Sequence, residues 1–248
     1  MHANGLHYLP LSPGLFSILA GIFILLVVLL RVGALPYAYT RIGISAQGAI
    51  LILLASLVGS YFNIPLAELP GQHILSGREI DFFGLHYMVP VVVDWPGTIV
   101  AVNVGGALIP GLISLYVLVR HRLWMRGALA IAGVSAICHF LAKPVPGLGI
   151  ALPIFVPAIA SALMAMVLSL RRTAALAYIG GSLGALVGAD LLNLGRVQGL
   201  GAPVVSIGGA GTFDGVFLTG ILAVLLAGLW SPHSQNRAEF YSEQSRNA

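Results

Sequence analysis

The sequence predicts an all-α membrane protein: a polytopic bundle of about seven transmembrane helices, with a small β-hairpin in the extracytoplasmic loop between spans two and three. Three observations predict it. Of the 248 residues, 58% are hydrophobic and only 8% charged, with a mean hydropathy of +0.97. A soluble domain carries about a quarter charged residues because its surface faces water. The apolar residues also gather into blocks of roughly 18–25, the length that crosses about 30 Å of hydrocarbon. Finally, the twelve Lys and Arg stand at the ends of those blocks. The net charge of +4 therefore reads as a topology signal and not as a footprint for nucleic acid.

The spans are expected at about 12–30, 42–62, 97–119, 127–145, 150–170, 174–194 and 213–230, forming a single domain over 1–230. No Lys or Arg precedes the first block, so it reads as a retained span rather than a cleaved signal peptide. The polar tail 231–248 is expected to be disordered and cytoplasmic. The lone cysteine, Cys138, lies in an apolar run and reads as a packing residue. No Cys/His spacing suggests a metal or cofactor site, and none is expected.

Orientation follows from the positive-inside rule. Nine cations fall on one side: Arg31, Arg41, Arg120, Arg122, Arg126, Arg171, Arg172, Arg237 and Arg246. Only three, Arg78, Lys143 and Arg196, fall on the other. The N-terminus is thus expected outside and the C-terminus on the cytoplasmic side of a cell membrane, which an odd number of spans satisfies. The long connection 63–96 then lies outside. Strand-forming residues flank a Ser76-Gly77 turn candidate within it, with Tyr87 and Trp95 as interface anchors. Glu68, Glu79, Asp81 and Asp94 make that loop a solvated cap.

Polar groups inside spans are costly and face the bundle interior, so they are the candidate site residues. They are Asn103, His139, Lys143, Asp190, Asn193 and Asp214. Asn103 lies 17 residues before Arg120, Lys143 17 after Arg126, Asp190 17 after Thr173 and Asp214 16 before Trp230. At about 1.5 Å per residue, all four stand roughly 24–26 Å above the cytoplasmic boundary. Four spans thereby place polar groups in one layer near the outer surface, with His139 one turn deeper. Such a layer serves a structural role as readily as a functional one: Lys143 can snorkel to water or pair with Asp190, and Asp214 can cap the seventh helix.

Two further features bear on the layer. The connection 195–213, GRVQGLGAPVVSIGGAGTF, is glycine-rich and too irregular for a helix. At membrane depth such backbone must be buried in protein or line a water-filled cavity. Gly180, Gly184 and Gly188 recur every four residues and permit close helix contact. Asp190 is about 200° around the helix from Gly188 and points away from that seam, with Asn193 on its side.

The runs VAVNVGGALIPGLISLYVL (100–118) and GGAGTFDGVFLTGILAVLL (208–226) resemble an uncharacterised family of bacterial and archaeal multi-pass membrane proteins, known only as a domain of unknown function. A looser likeness is to presenilin-type and signal-peptide-peptidase-type intramembrane aspartyl proteases, which carry one aspartate on each of two consecutive helices. Asp190 and Asp214 match that placement, and GAGTFDG sets glycines ahead of Asp214. The strict Gly-x-Gly-Asp, Tyr-Asp and Pro-Ala-Leu motifs are absent. The likeness implies catalysis by Asp190 and Asp214, one as base towards water and one as acid towards the leaving group. The alternatives are a secondary transporter for a small solute and a non-catalytic membrane component that binds a partner. The expected partners are the lipid bilayer and an unidentified membrane substrate or small solute, with no nucleic acid.

Overall fold

A computed structural model describes residues 34–82, 85–145, 149–153, 155–197, 204–209 and 215–230. The first span and the cytoplasmic tail expected from the sequence, and Asp214, lie outside these residues, as do the side chains of Tyr87 and Trp95. The described chain is mostly helical: α1 (Ala34–Arg41), α2 (Ala46–Gly59), α3 (Val104–Arg120), α4 (Trp124–Leu141), α5 (Phe155–Leu168), α6 (Thr173–Arg196) and α7 (Gly215–Trp230). A long hairpin, β1 (Asn63–Phe82) with β2 (Leu85–Asn103), stands between α2 and α3. Among the described residues, two helices, α4 and α6, are long and apolar enough to cross a membrane.

Several boundaries differ from the sequence reading, each for a local reason. The expected third span opens at 97, but residues 97–103 finish β2 and the helix starts at Val104. Four of the five residues Thr98–Val102 are β-branched, which favours a pleated strand. That stretch is also paired on both sides, antiparallel to β1 and parallel to β5 (Val204–Ile207). The connection 195–213, expected to be irregular, thus contributes a strand to the hairpin base. The hairpin does not turn at Ser76-Gly77. Ser76 pairs with Val91, and the register runs on to Phe82 opposite Leu85. A bulge between Pro65 and Ala67 accommodates the missing Pro65 donor.

Prolines reset the helix ends. The expected fourth span reaches 145, yet α4 stops at Leu141 and Lys143 opens a short strand, β3 (Lys143–Val145), paired with β4 (Gly149–Ala151). Pro144 disfavours helical backbone at the residue before it, which is Lys143. The fifth helix begins at Phe155 and not 150, so Pro157 falls in its first turn, where a missing N–H costs nothing. The link between the first two expected spans contains the additional helix α1.

The core is centred on the first half of α6. Leu176, Ala177, Tyr178 and Ile179 are fully enclosed by Tyr39 and Ile42, by Ile113 and Val117 of α3, by Ala158, Ala162 and Ala165 of α5 and by Ile221, Ala223 and Val224 of α7. Alanines are interleaved with these larger core residues, and large apolar side chains also face outward: Leu112, Leu115 and Val119 of α3, Leu129 and Phe140 of α4 and Leu163 and Val167 of α5. Val167 and Phe140 are 83% and 84% exposed. The α6 glycines account for its close approach to α4: a Cβ on Gly184 would lie 2.7 Å from Val134 Cβ, and one on Gly188 would overlap the Ser135 backbone.

Candidate functional site

The ends of α2, β1, β2, α3 and β5 meet near the second half of α6, and polar side chains join them. Asn103, 4% exposed, closes β2 and caps α3: its Oδ1 accepts the Gly106 N–H at 2.8 Å. Its Nδ2 donates to Ser60 O at 2.8 Å and to Asn63 Oδ1 at 3.1 Å. Ser206 of β5 donates to the same Asn63 oxygen at 2.6 Å. One level deeper, Ser56 donates to Gly105 O at 2.6 Å. A Cβ on Gly59 would lie 3.0 Å from Gly105 N, so α2 and α3 touch through backbone here.

Asp190 sits where α6 passes from π to 3-10 geometry. The helix widens to π turns over Gly180–Gly184 and Leu186–Asp190, then tightens to a 3-10 turn over Leu191–Arg196. Such π segments within helices are frequent at functional sites. The Ser135 hydroxyl reaches across from α4 to Gly184 O at 3.0 Å within the widened stretch. Asp190 Oδ2 accepts the Gly208 N–H at 2.6 Å, tying α6 to the residue after β5. Gly208 has φ +81°, a conformation that glycine adopts without steric cost. A Cβ there would also stand 2.6 Å from Ala107 N. Among the described residues, Asp190 Oδ1 has no hydrogen-bond partner.

The remaining layer residues are placed differently. Asn193 is fully buried and turns back on its own helix: Nδ2 donates to Gly188 O at 2.9 Å and Ala189 O at 3.0 Å, and Arg196 donates to its Oδ1 at 3.2 Å. It satisfies carbonyls released where the helix changes pitch. His139 lies in the last turn of α4, half-buried, with its Nδ1 enclosed and without a partner among the described residues. Lys143 is exposed on β3, and no ion pair joins it to Asp190 among the described residues. Neither Asn103 nor Lys143 is helical, so counting helical rise to their depth does not apply to them. Cys138 is buried between Val134 and Ala185.

The residues brought together are therefore Asp190 and Asn103, through the segment Ser206–Gly209. Sequence reasoning missed Asn63, Ser206 and Gly208. Asn63, directly after an apolar block, carried a weak signal. Gly208 stood in a recognisably glycine-rich run, but nothing singled it out from its neighbours. Among the described residues no three His, Cys, Asp or Glu side chains gather as a metal-binding set. The chemistry on offer is a carboxylate with one oxygen fixed by a backbone amide and the other open to a proton, water or a ligand.

No curated protein and no solved structure matches the chain, the intramembrane aspartyl proteases included. A family model described as a protein of unknown function (DUF1614) matches residues 57–226, from the last turn of α2 through most of α7, and the chain belongs to that family.

Proposed function

We propose that this chain is a seven-span membrane protein with its N-terminus outside, carrying near its outer surface a carboxylate site that hydrolyses a membrane-borne substrate. The membrane part of this reading rests on the outward-facing apolar side chains. Large apolar side chains face outward on α3, α4 and α5, while alanines lie at the helix contacts beside buried Leu176, Tyr178 and Ile179. Water gives no reason to expose Val167 or Phe140, whereas lipid does, and small residues then let helix backbones meet. The cationic turns at 41, 120–126 and 171–172 mark the cytoplasmic end.

The catalytic part rests on the hydrogen bond from Gly208 to Asp190. It tethers the segment leading to Asp214 beside the Asp190 carboxylate. Six residues of chain lead from Gly208 to Asp214 and span at most about 21 Å, a limit that permits the two carboxylates to share a water. One carboxylate would take a proton from that water as it attacks the substrate carbonyl, and the other would protonate the departing nitrogen. The test compares fragments of membrane proteins, by mass spectrometry, in cells expressing wild type, Asp190→Asn or Asp214→Asn. Fragments lost in both variants support hydrolysis. An unchanged fragment set rules it out.

A second reading, a secondary transporter, is favoured by one observation. The helix bearing Asp190 departs from α geometry from Gly180 onward, and interrupted helices beside polar groups are a feature of such carriers. Solute flux into proteoliposomes that Asp190→Asn abolishes, without any change in fragments, would select it.

A further inference from the structure

The turn between α1 and α2 is fixed from both sides. Gly43 N–H donates to Thr40 O at 3.1 Å and Ile44 N–H to Tyr39 O at 2.9 Å, closing α1 in the paired arrangement that a left-handed residue permits. Gly43 supplies that residue, with φ +87°. Ser45 then caps α2, its hydroxyl accepting the Gly48 N–H at 3.1 Å. Ala38, Tyr39 and Ile42 hold α1 itself in the core. Beside this turn a groove of about 430 Å³ opens between α2 and α3. Gly43 and Ser45 form its lower end, and Ile52, Leu112 and Tyr116 stand in its apolar walls.

Depth along the bundle can be counted from the cationic turns. Tyr116 and Leu112 precede Arg120 by four and eight residues on α3, so they stand about 6 and 12 Å above it. Ile52, seven residues after Ser45 on α2, stands at about 10 Å. The apolar block 12–30 lies outside the described residues, carries no charged residue and is followed by Arg31. Counted back from Arg31 as a helix, Val27 and Phe23 come at those same depths of about 6 and 12 Å. Four residues lead from Leu30 to Ala34, and eight more reach Ile42 along α1. That chain keeps the lower end of the block within about 26 Å of Ile42, at the foot of the groove.

We infer that the block 12–30 packs as a helix in this groove, with residues 22–24 level with Leu112 and 26–28 level with Tyr116. The inference rests on the membrane reading above and not on the hydrolase reading. Tethering selects the occupant. The block cannot diffuse away from the anchored α1, so its local concentration at the groove is of the millimolar order that a short linker gives. A lipid acyl chain must be ordered from a fluid state to lie in a fixed groove, whereas a helix enters with its backbone already ordered. The described helices cover α2 on one side: Ala49, Leu53 and Ser56 are buried, while Ile50, Leu51, Leu54 and Val58 stay exposed. A further helix therefore has an apolar surface to meet beside the groove.

The test uses the full chain in native membranes. In a Cys138→Ala background, Leu112→Cys is combined in turn with Ile22→Cys, Phe23→Cys, Ile24→Cys and Leu25→Cys, which cover one helical turn at the matching depth. Each pair is oxidised with copper phenanthroline, and thiols left free are read by the gel shift of a polyethylene glycol maleimide after denaturation. At least one pair is expected to close within the monomer about tenfold more completely than the same residue paired with Leu163→Cys, which stands outward on α5, away from the groove. A flexible bismaleimide in place of the oxidant removes the demand for disulfide geometry and should link the same pairs. Closure with Leu163→Cys as complete as with Leu112→Cys overturns the inference. So does a linked dimer, which would put a second copy in the groove. No closure at any of the four positions by either reagent also overturns it and leaves the groove to lipid. Alkaline carbonate extraction separates the two failures: a chain washed from membranes sinks the membrane reading, and a chain that stays but does not close sinks only this packing.

Discussion

The Gly208 N–H donates to Asp190 Oδ2 at 2.6 Å, joining a distorted helix to the strand at the hairpin base across 18 residues of sequence. Hydrogen bonds to charged groups contribute about 1.5–3 kcal/mol. Asp190→Ala is therefore expected to lower stability by that amount and to loosen the segment 204–209. Asp190→Asn, which keeps an acceptor, should lose less. Thermal unfolding in detergent, with proteolysis of the 198–214 segment as a second readout, checks both. Equal stability and equal protease resistance in wild type and Asp190→Ala would mean that the bond does not hold the segment.

Gly208 is constrained twice, by φ +81° and by the approach of Ala107 N to within 2.6 Å of where a Cβ would stand. Gly208→Ala should destabilise by about 1–3 kcal/mol through backbone strain, more if α3 cannot yield. Gly111, inside α3, has open space where a Cβ would go. Gly111→Ala should instead be neutral or stabilising by about 0.5–1 kcal/mol. Comparing the two melting temperatures separates a required glycine from a tolerated one.

The sequence made the helices legible because blocks of apolar residues carry their own signal. It also pointed to a common layer of polar groups; Asp190 bonds Gly208, and Asn103 is linked to Ser206 only through Asn63. What it could not show was which backbone lay between them. Thr98–Val102 is as hydrophobic as a helix start, and only its partners β1 and β5 make it a strand. The turn at Ser76-Gly77 was plausible locally, but the long register continues past it to Phe82 and Leu85. Lys143 ends an apolar block but is not helical, because Pro144 disfavours helical backbone at the residue before it. The π turns of α6 depend on contacts such as that of Gly188 with the Ser135 backbone, which no local pattern encodes.

Asn103 performs two jobs that substitution can separate. Its oxygen caps α3 through Gly106 N–H, and its amide donates to Ser60 O and Asn63 Oδ1. Asn103→Ala removes the cap, worth about 1 kcal/mol, and leaves buried acceptors unpaired at about 1–3 kcal/mol. Asn103→Asp keeps the cap but turns both donors into acceptors facing oxygens. It should be at least as damaging as Ala, in contrast to an exposed cap, where Asp and Asn are equivalent. Chemical or thermal denaturation decides the order. If Asp restores wild-type stability, the cap alone matters and the links to Ser60 and Asn63 contribute nothing.

Orientation offers the last test, because the hairpin base and the arginine turns lie at opposite ends of α3. Cys138 is the only cysteine and is fully buried, so Cys138→Ala gives a background with no thiol for a small packing cost. Single cysteines then replace Leu66, 62% exposed on β1, and Arg122, exposed in the turn between α3 and α4. Arg122 has φ +51°, a conformation strained for any non-glycine residue, so the cysteine adds no new backbone demand. With a membrane-impermeant maleimide, Leu66→Cys should react in intact cells and Arg122→Cys only after permeabilisation. The reverse labelling would mean that the arginines do not set the topology and would move the Asp190 cluster to the cytoplasmic side. Labelling of both from outside would mean that α3 does not cross, which its outward-facing Leu112 and Leu115 argue against.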